Sequence, residues 1–157
     1  MEPKWNRSER FERSGCFDVK GEMQDVFPLL CPALEYQWIP GWSCTMLYSD
    51  SGVAEENAIF STREMFGKKV LRTTITYEPN RFIEYLLVMG QDGVVRLSIT
   101  LEEKGPGETL VHWRMLLTAV SYLAKKILPK AYSEDKFQAM LSKRKNELNR
   151  YLATTKK

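Results

Sequence analysis

The sequence predicts an α+β fold in one domain, an antiparallel sheet of about seven strands gripping one long C-terminal helix. Two observations carry this. Six runs with strand texture, at 44–49, 58–62, 69–77, 82–89, 94–102 and 109–118, follow one another with only short turn-forming stretches between them. Consecutive hairpins give an antiparallel meander, and the long crossovers that a parallel sheet needs are missing. The second observation is a helical stripe near the end of the chain. Phe137, Met140, Leu141, Leu148, Tyr151 and Leu152 share one face of a helix over 133–152. At about 1.5 Å per residue that helix is roughly 30 Å long. A stripe of this length needs a long apolar surface, and the strands must supply it.

Taken in order, residues 1–7 read as a frayed end, as do 154–157. Phe11, Arg13, Gly15, Phe17 and Val19 then alternate with Glu12, Ser14, Cys16 and Asp18, which predicts a first strand. Gly21 breaks it. A short helix over 22–30 puts Met23, Val26, Phe27 and Leu30 on one side, and Pro28 keeps it short or kinked. Pro32 opens a second short segment with Leu34, Glu35 and Trp38, which Pro40-Gly41 ends.

The strands that follow are punctuated by Asp50-Ser51-Gly52, Phe66-Gly67, Pro79-Asn80, Gln91-Asp92-Gly93 and Gly105-Pro106-Gly107. Val95, Leu97, Ile99 and Leu101 form an inner face, as do Val111, Trp113, Met115 and Leu117. Leu71, Thr73, Ile75 and Tyr77 make a similar set. Residues 82–89 are apolar on both faces apart from Glu84, so their orientation stays open. An amphipathic helix over 120–128 is expected, with Pro129 separating it from the last helix. Ser133, Glu134 and Asp135 form the N-terminal cap and acidic first turn of that last helix.

The 157 residues are 43% hydrophobic and 27% charged, ordinary values for one globular domain. No signal-like run or membrane-length apolar stretch occurs, and no stable membrane insertion is expected. Cys16, Cys31 and Cys44 lack CxxC spacing, which argues against a disulfide framework or zinc site and fits a cytoplasmic protein with reduced thiols. From Ala119 onward there are ten Lys or Arg against three Asp or Glu. With no aromatic-interleaved basic strand, that charge reads as the solvated back of helices, and no nucleic-acid partner is expected.

The order strand, two short helices, six strands, long helix matches the helix-grip fold. VFPLLCPALEYQWIPGW at 26–42, YSDSG at 48–52 and AIFST at 58–62 sharpen the match. With them the chain resembles the START-like, or SRPBCC, superfamily, which includes Bet v 1-type binders, polyketide cyclases and Hsp90-activator homologues. The motif CPxxExxWIPGW is similar to a bacterial and archaeal branch of it. The resemblance implies a curved sheet wrapped around the C-terminal helix, a cavity between them, and Glu35, Trp38 and Trp42 near the cavity's edge. It carries over no catalytic residue.

Chemistry-bearing residues are few. His112 is the only histidine, so multi-histidine metal sites are excluded and any Ser or Cys nucleophile with an imidazole base must use it. Alternation puts it with Arg114 on the outer face. No Gly-rich phosphate loop or dinucleotide fingerprint occurs; no metal or cofactor is expected. Glu35, between Leu34 and Tyr36, is either a buried acid fit for proton transfer or a brace for the short helices. Glu84 beside Tyr85 is another possible acid pair on a strand whose facing stays open, with an exposed Glu84 the preferred reading. Trp38, Trp42 and Trp113, with Phe60, Tyr85, Met115, Phe137 and Leu141, are candidates to line a ligand cavity, ordinary core packing being the alternative.

Arg144 falls inside the apolar stripe of the last helix. Either its stem lies on the sheet with the guanidinium in water, or it enters the cavity, there to pair with Glu35 or Glu84 or to receive an anionic head group. Three functional classes follow. They are a binder or carrier of a small hydrophobic ligand (lipid, isoprenoid or polyketide-like), a cofactor-independent cyclase- or hydrolase-like enzyme using cavity acids, and a protein-interaction module.

Overall fold

The computed structural model describes residues 1–63 and 68–155. Strand β1 (Glu9–Val19) leads into helix α1 (Met23–Val26), which tightens into 3₁₀ turns at Phe27–Leu30 and Glu35–Gln37. Pro28 sits in the first turn of the Phe27–Leu30 segment, where a missing N–H costs nothing, so α1 stops after four residues. Strands β2 (Cys44–Tyr48), β3 (Ile59–Arg63), β4 (Lys69–Glu78), β5 (Phe82–Met89), β6 (Gly93–Gly105) and β7 (Glu108–Ala119) follow. Helices α2 (Tyr122–Ala131) and α3 (Glu134–Thr155) end the chain. The expected turn at Phe66-Gly67 lies outside the described residues. Among these residues no helix is long and apolar enough to cross a membrane.

The seven strands form one antiparallel sheet in the order β1-β7-β6-β5-β4-β3-β2. The meander supplies neighbours β2 to β7 in sequence, and β1 closes onto β7 from Glu9↔Ala119 to Val19↔Thr109. Val95, Leu97, Ile99 and Leu101 on β6 and Val111, Trp113, Met115 and Leu117 on β7 all face the core, as their alternation predicts. On the same concave face lie Ile83, Tyr85 and Leu87 of β5.

Strand β4 differs from expectation. Its register shifts between Thr74 and Thr76, a bulge that changes which residues point inward. Before the bulge Val70, Arg72 and Thr74 are buried while Leu71 is 47% exposed; after it Tyr77 turns in to pair with Ile83 and meet the Phe27 ring at 5.5 Å. The bulge therefore carries an arginine into the core.

Helix α2 also differs. It runs through Pro129 to Ala131, because the Pro sits in the last turn and the Tyr132 N–H still bonds Leu128 O. The break falls at Tyr132 and Ser133, whose hydroxyl caps the Lys136 N–H. Helix α3 buries Phe137, Leu141, Leu148 and Leu152. It comes so close to β1 that a Cβ on Gly15 would stand 2.5 Å from Leu141 Cδ1. Asn149 accepts from the Lys20 N–H and donates to Asp18 O, pinning the helix to the end of β1.

Candidate functional site

The motif at 26–42 owes its aromatic residues to backbone chemistry. A 3₁₀ turn leaves carbonyls at its end without partners. The Trp38 indole donates to Leu29 O at 2.7 Å, the Tyr85 hydroxyl to Leu30 O at 3.0 Å, and the Trp42 indole to Pro32 O at 2.7 Å. The two indoles thus fold the segment onto itself, and the Tyr85 hydroxyl of β5 fastens it to the sheet. A buried carbonyl left open costs roughly 1–3 kcal/mol, so each donor has a structural reason to stay.

Glu35 is 3% exposed, with its carboxylate 3.8 Å from the guanidinium of Arg72. That guanidinium lies 5.5 Å from the Trp42 ring centroid and 5.2 Å from that of Tyr85. An ion pair between two aromatic faces is a tolerable way to keep a charge in a core, since each ring's negative face attracts the cation. The structure thus gathers Glu35, Trp42 and Tyr85 around a residue the sequence reading placed outside. Phe60 joins them as the register partner of Arg72. The one available signal was Glu35 itself: an acid that stays ionised among apolar neighbours needs a cation beside it.

Trp113, Met115, Phe137 and Leu141 lie on the other half of the concave side, buried where α3 crosses β1 and β7. Trp113 Nε1 and Thr74 Oγ1, both buried, have no hydrogen-bond partner among the described residues. Arg144 sits at the rim of α3, 21% exposed, bonding Glu147 at 2.9 Å. Its acid is a neighbour on its own helix rather than Glu35 or Glu84, because three residues along a helix bring side chains together. Glu84 does point outward, yet its side chain is only 8% exposed. Arg96 Nη2 at 2.8 Å and Ser98 Oγ at 2.7 Å close over it. The Arg96 hydrogen bond holds its carboxyl below the usual range. His112 stands on the outer face, 2.9 Å from Glu102.

A cleft of ≈ 230 Å³ opens between the short helices and β4–β5, walled by Phe27, Cys31, Leu34, Val53, Tyr77 and Ile83. The groups around it are neutral. Burial pushes the Cys31 thiol and the Tyr77 phenol up, Tyr85 well up, and Cys44 up to about 11. Each therefore remains a protonated donor at neutral pH, and none is a ready nucleophile.

No protein-family model and no curated protein sequence matches the chain. Solved structures do. A protein of Rhizobium leguminosarum superposes with a TM-score of 0.65 at 13% identity, over 96% of this chain and 99% of that one. Norcoclaurine synthase of Thalictrum flavum, in complex with dopamine and hydroxybenzaldehyde, gives 0.64 at 12% identity over 88% and 86%. A protein of the dynemicin biosynthetic locus, DynU16, gives 0.62 at 15% identity over 92% of this chain and 48% of that one. Identities this low show a shared fold alone. That fold is the helix grip of the START-like (SRPBCC), Bet v 1-like proteins, which houses both small-molecule binders and enzymes.

Proposed function

We propose that this helix-grip chain binds one small, largely apolar molecule on the concave side of its sheet. The observation that carries the reading is the apolar cleft of ≈ 230 Å³ beneath Phe27, Leu34 and Val53. It has the anatomy of a ligand site, apolar walls with few polar groups. Its floor residues Tyr77 and Ile83 belong to a cross-strand row that continues through Ile99 to Trp113. The unpartnered Trp113 N–H and Thr74 hydroxyl on the same face would serve a ligand that brings its own hydrogen-bonding oxygen. In this reading Glu35, Trp38 and Trp42 hold the wall, Phe60, Tyr85, Trp113, Met115, Phe137 and Leu141 surround the ligand's inner end, and Arg144 stays at the rim with Glu147.

Binding is favoured over catalysis by cavity acids for a physical reason. An acid–base catalyst needs a titratable group free to reach the ligand. Glu35 is engaged by Arg72, Glu84 is covered on the opposite face, and the thiols and phenols are neutral. The test is intrinsic tryptophan fluorescence during titration with fatty acids, isoprenoids and aromatic polyketides, on the wild type and on Ile83→Trp, which fills the cleft. Saturable quenching in the wild type, weakened at least about tenfold in the variant, supports the site. No response to any of the three classes removes it.

A further inference from the structure

The convex face of the sheet carries a second chemistry, independent of any ligand on the concave side. Cys16 on β1 and His112 on β7 are register partners. Their side chains therefore leave the same face, with Cβ atoms about 4.5–5.5 Å apart. His112 Nε2 lies 2.9 Å from Glu102 Oε2. An ionised carboxylate only accepts, so Nε2 carries the proton and Nδ1 remains as the acceptor of the neutral ring. A groove of ≈ 480 Å³ passes over Cys16 and His112, with Phe82, Ser98, Thr100 and Arg114 in its walls. Cys16 is the exposed thiol of the three; Cys31 is buried and Cys44 half-buried.

We propose that Cys16 is a nucleophilic modification site, with His112 as its base and Glu102 as the residue that positions that base, and that it reacts with low-molecular-weight disulfides. The class of electrophile follows from the sheet. Attack on an ester or thioester builds an oxyanion that needs preorganised donors. The backbone N–H groups of β7 and β6 are engaged in ladders on both sides, and those that the edge strand β1 leaves open lie in the plane of the sheet rather than aimed into the groove. Disulfide exchange develops no oxyanion and needs only a thiolate, a route for its proton and room for the adduct. Cys16 Sγ attacks one sulfur of the disulfide as its proton passes to His112 Nδ1. The S–S bond breaks, and the leaving thiolate takes that proton. Cys16 is oxidised to a mixed disulfide and the departing half is reduced to a free thiol.

The experiment uses the full chain with oxidised glutathione as the probe, following the adduct by mass spectrometry in the folded protein and in urea. In the folded wild type the adduct is expected on Cys16 alone, forming about tenfold faster than at the same thiol in the unfolded chain. His112→Ala should return Cys16 to the unfolded rate, with circular dichroism reporting that the fold is kept; if that variant fails to fold, His112→Gln replaces it. Glu102→Gln should fall between. A folded-state rate no higher than the unfolded one, a rate indifferent to the His112 variant, or equal labelling of Cys31 or Cys44 overturns the proposal.

Discussion

On the concave face Cys31, Cys44, Tyr77 and Tyr85 are kept protonated by burial, and Arg72 is held between aromatic rings against Glu35. On the convex face of the same strands, Arg114 grips Glu12 with two hydrogen bonds, Arg96 grips Glu84, and His112 meets Glu102 beside an exposed thiol. Successive residues of one strand thus live in different solvents. A cysteine at an inward position of the sheet is a small hydrophobe, while one at an outward position is a reagent. Parity along the strand decides which, and a single bulge resets the parity. That is how Arg72 came inside while Leu71, its neighbour, went out.

The contrast is broken most severely at the buried ion pair. Arg72→Met should destabilise the fold by ~3–5 kcal/mol in chemical denaturation, because it strands Glu35 in the core. Adding Glu35→Leu should recover a good part of the loss. A single variant costing under about 1 kcal/mol would mean that the pair is solvated and the concave face less dry than described.

A smaller effect, ~2–5 kcal/mol, is expected for Leu141→Ala, which opens a hole where α3 meets β1. Leu141 is 2% exposed and lies directly over Gly15. A loss well below that range would show the helix collapsing onto the glycine to fill the space.

The mildest test sits on the convex face. Glu84 has its carboxyl lowered, first by the Arg96 hydrogen bond. Its stabilising contribution is therefore present above the unfolded carboxylate value, about pH 4.3, and is lost as pH falls through the lower folded value. Urea midpoints measured from neutral to acid pH should show a shallower acid decline for Glu84→Gln than for the wild type. Identical acid limbs would mean that Arg96 serves Glu84 no better than water does.

How much of this was legible in the sequence depended on whether one face of an element met water. Strands β6 and β7 were readable because Arg96, Ser98, His112 and Arg114 alternate cleanly with core residues. The stripe of α3 was readable for the same reason, and its odd member Arg144 proved to be a rim residue served by Glu147. Strand β4 misled because Leu71, Thr73 and Ile75 look more apolar than Val70, Arg72 and Thr74. Nothing local announces a bulge at Ile75. Glu84 misled in another way: it faces outward, but long neighbours bury it, and alternation reports direction rather than cover. Glu35 was recognisable as a candidate buried acid. Its partner was not, since the two meet only through the fold.

The pairing of β1 with β7 has a consequence in time. A ribosome makes β1 first among the strands, and its partner in the sheet, β7, last. Through most of synthesis Phe11, Phe17 and Val19 belong to a strand with an open edge, the kind of segment that chaperones hold and aggregates recruit. Contacts between such distant parts of a chain also form slowly. Cys16 and His112 become neighbours only at this closing step, so a thiol-reactive probe pulsed into refolding protein would act as a clock for the moment the sheet shuts.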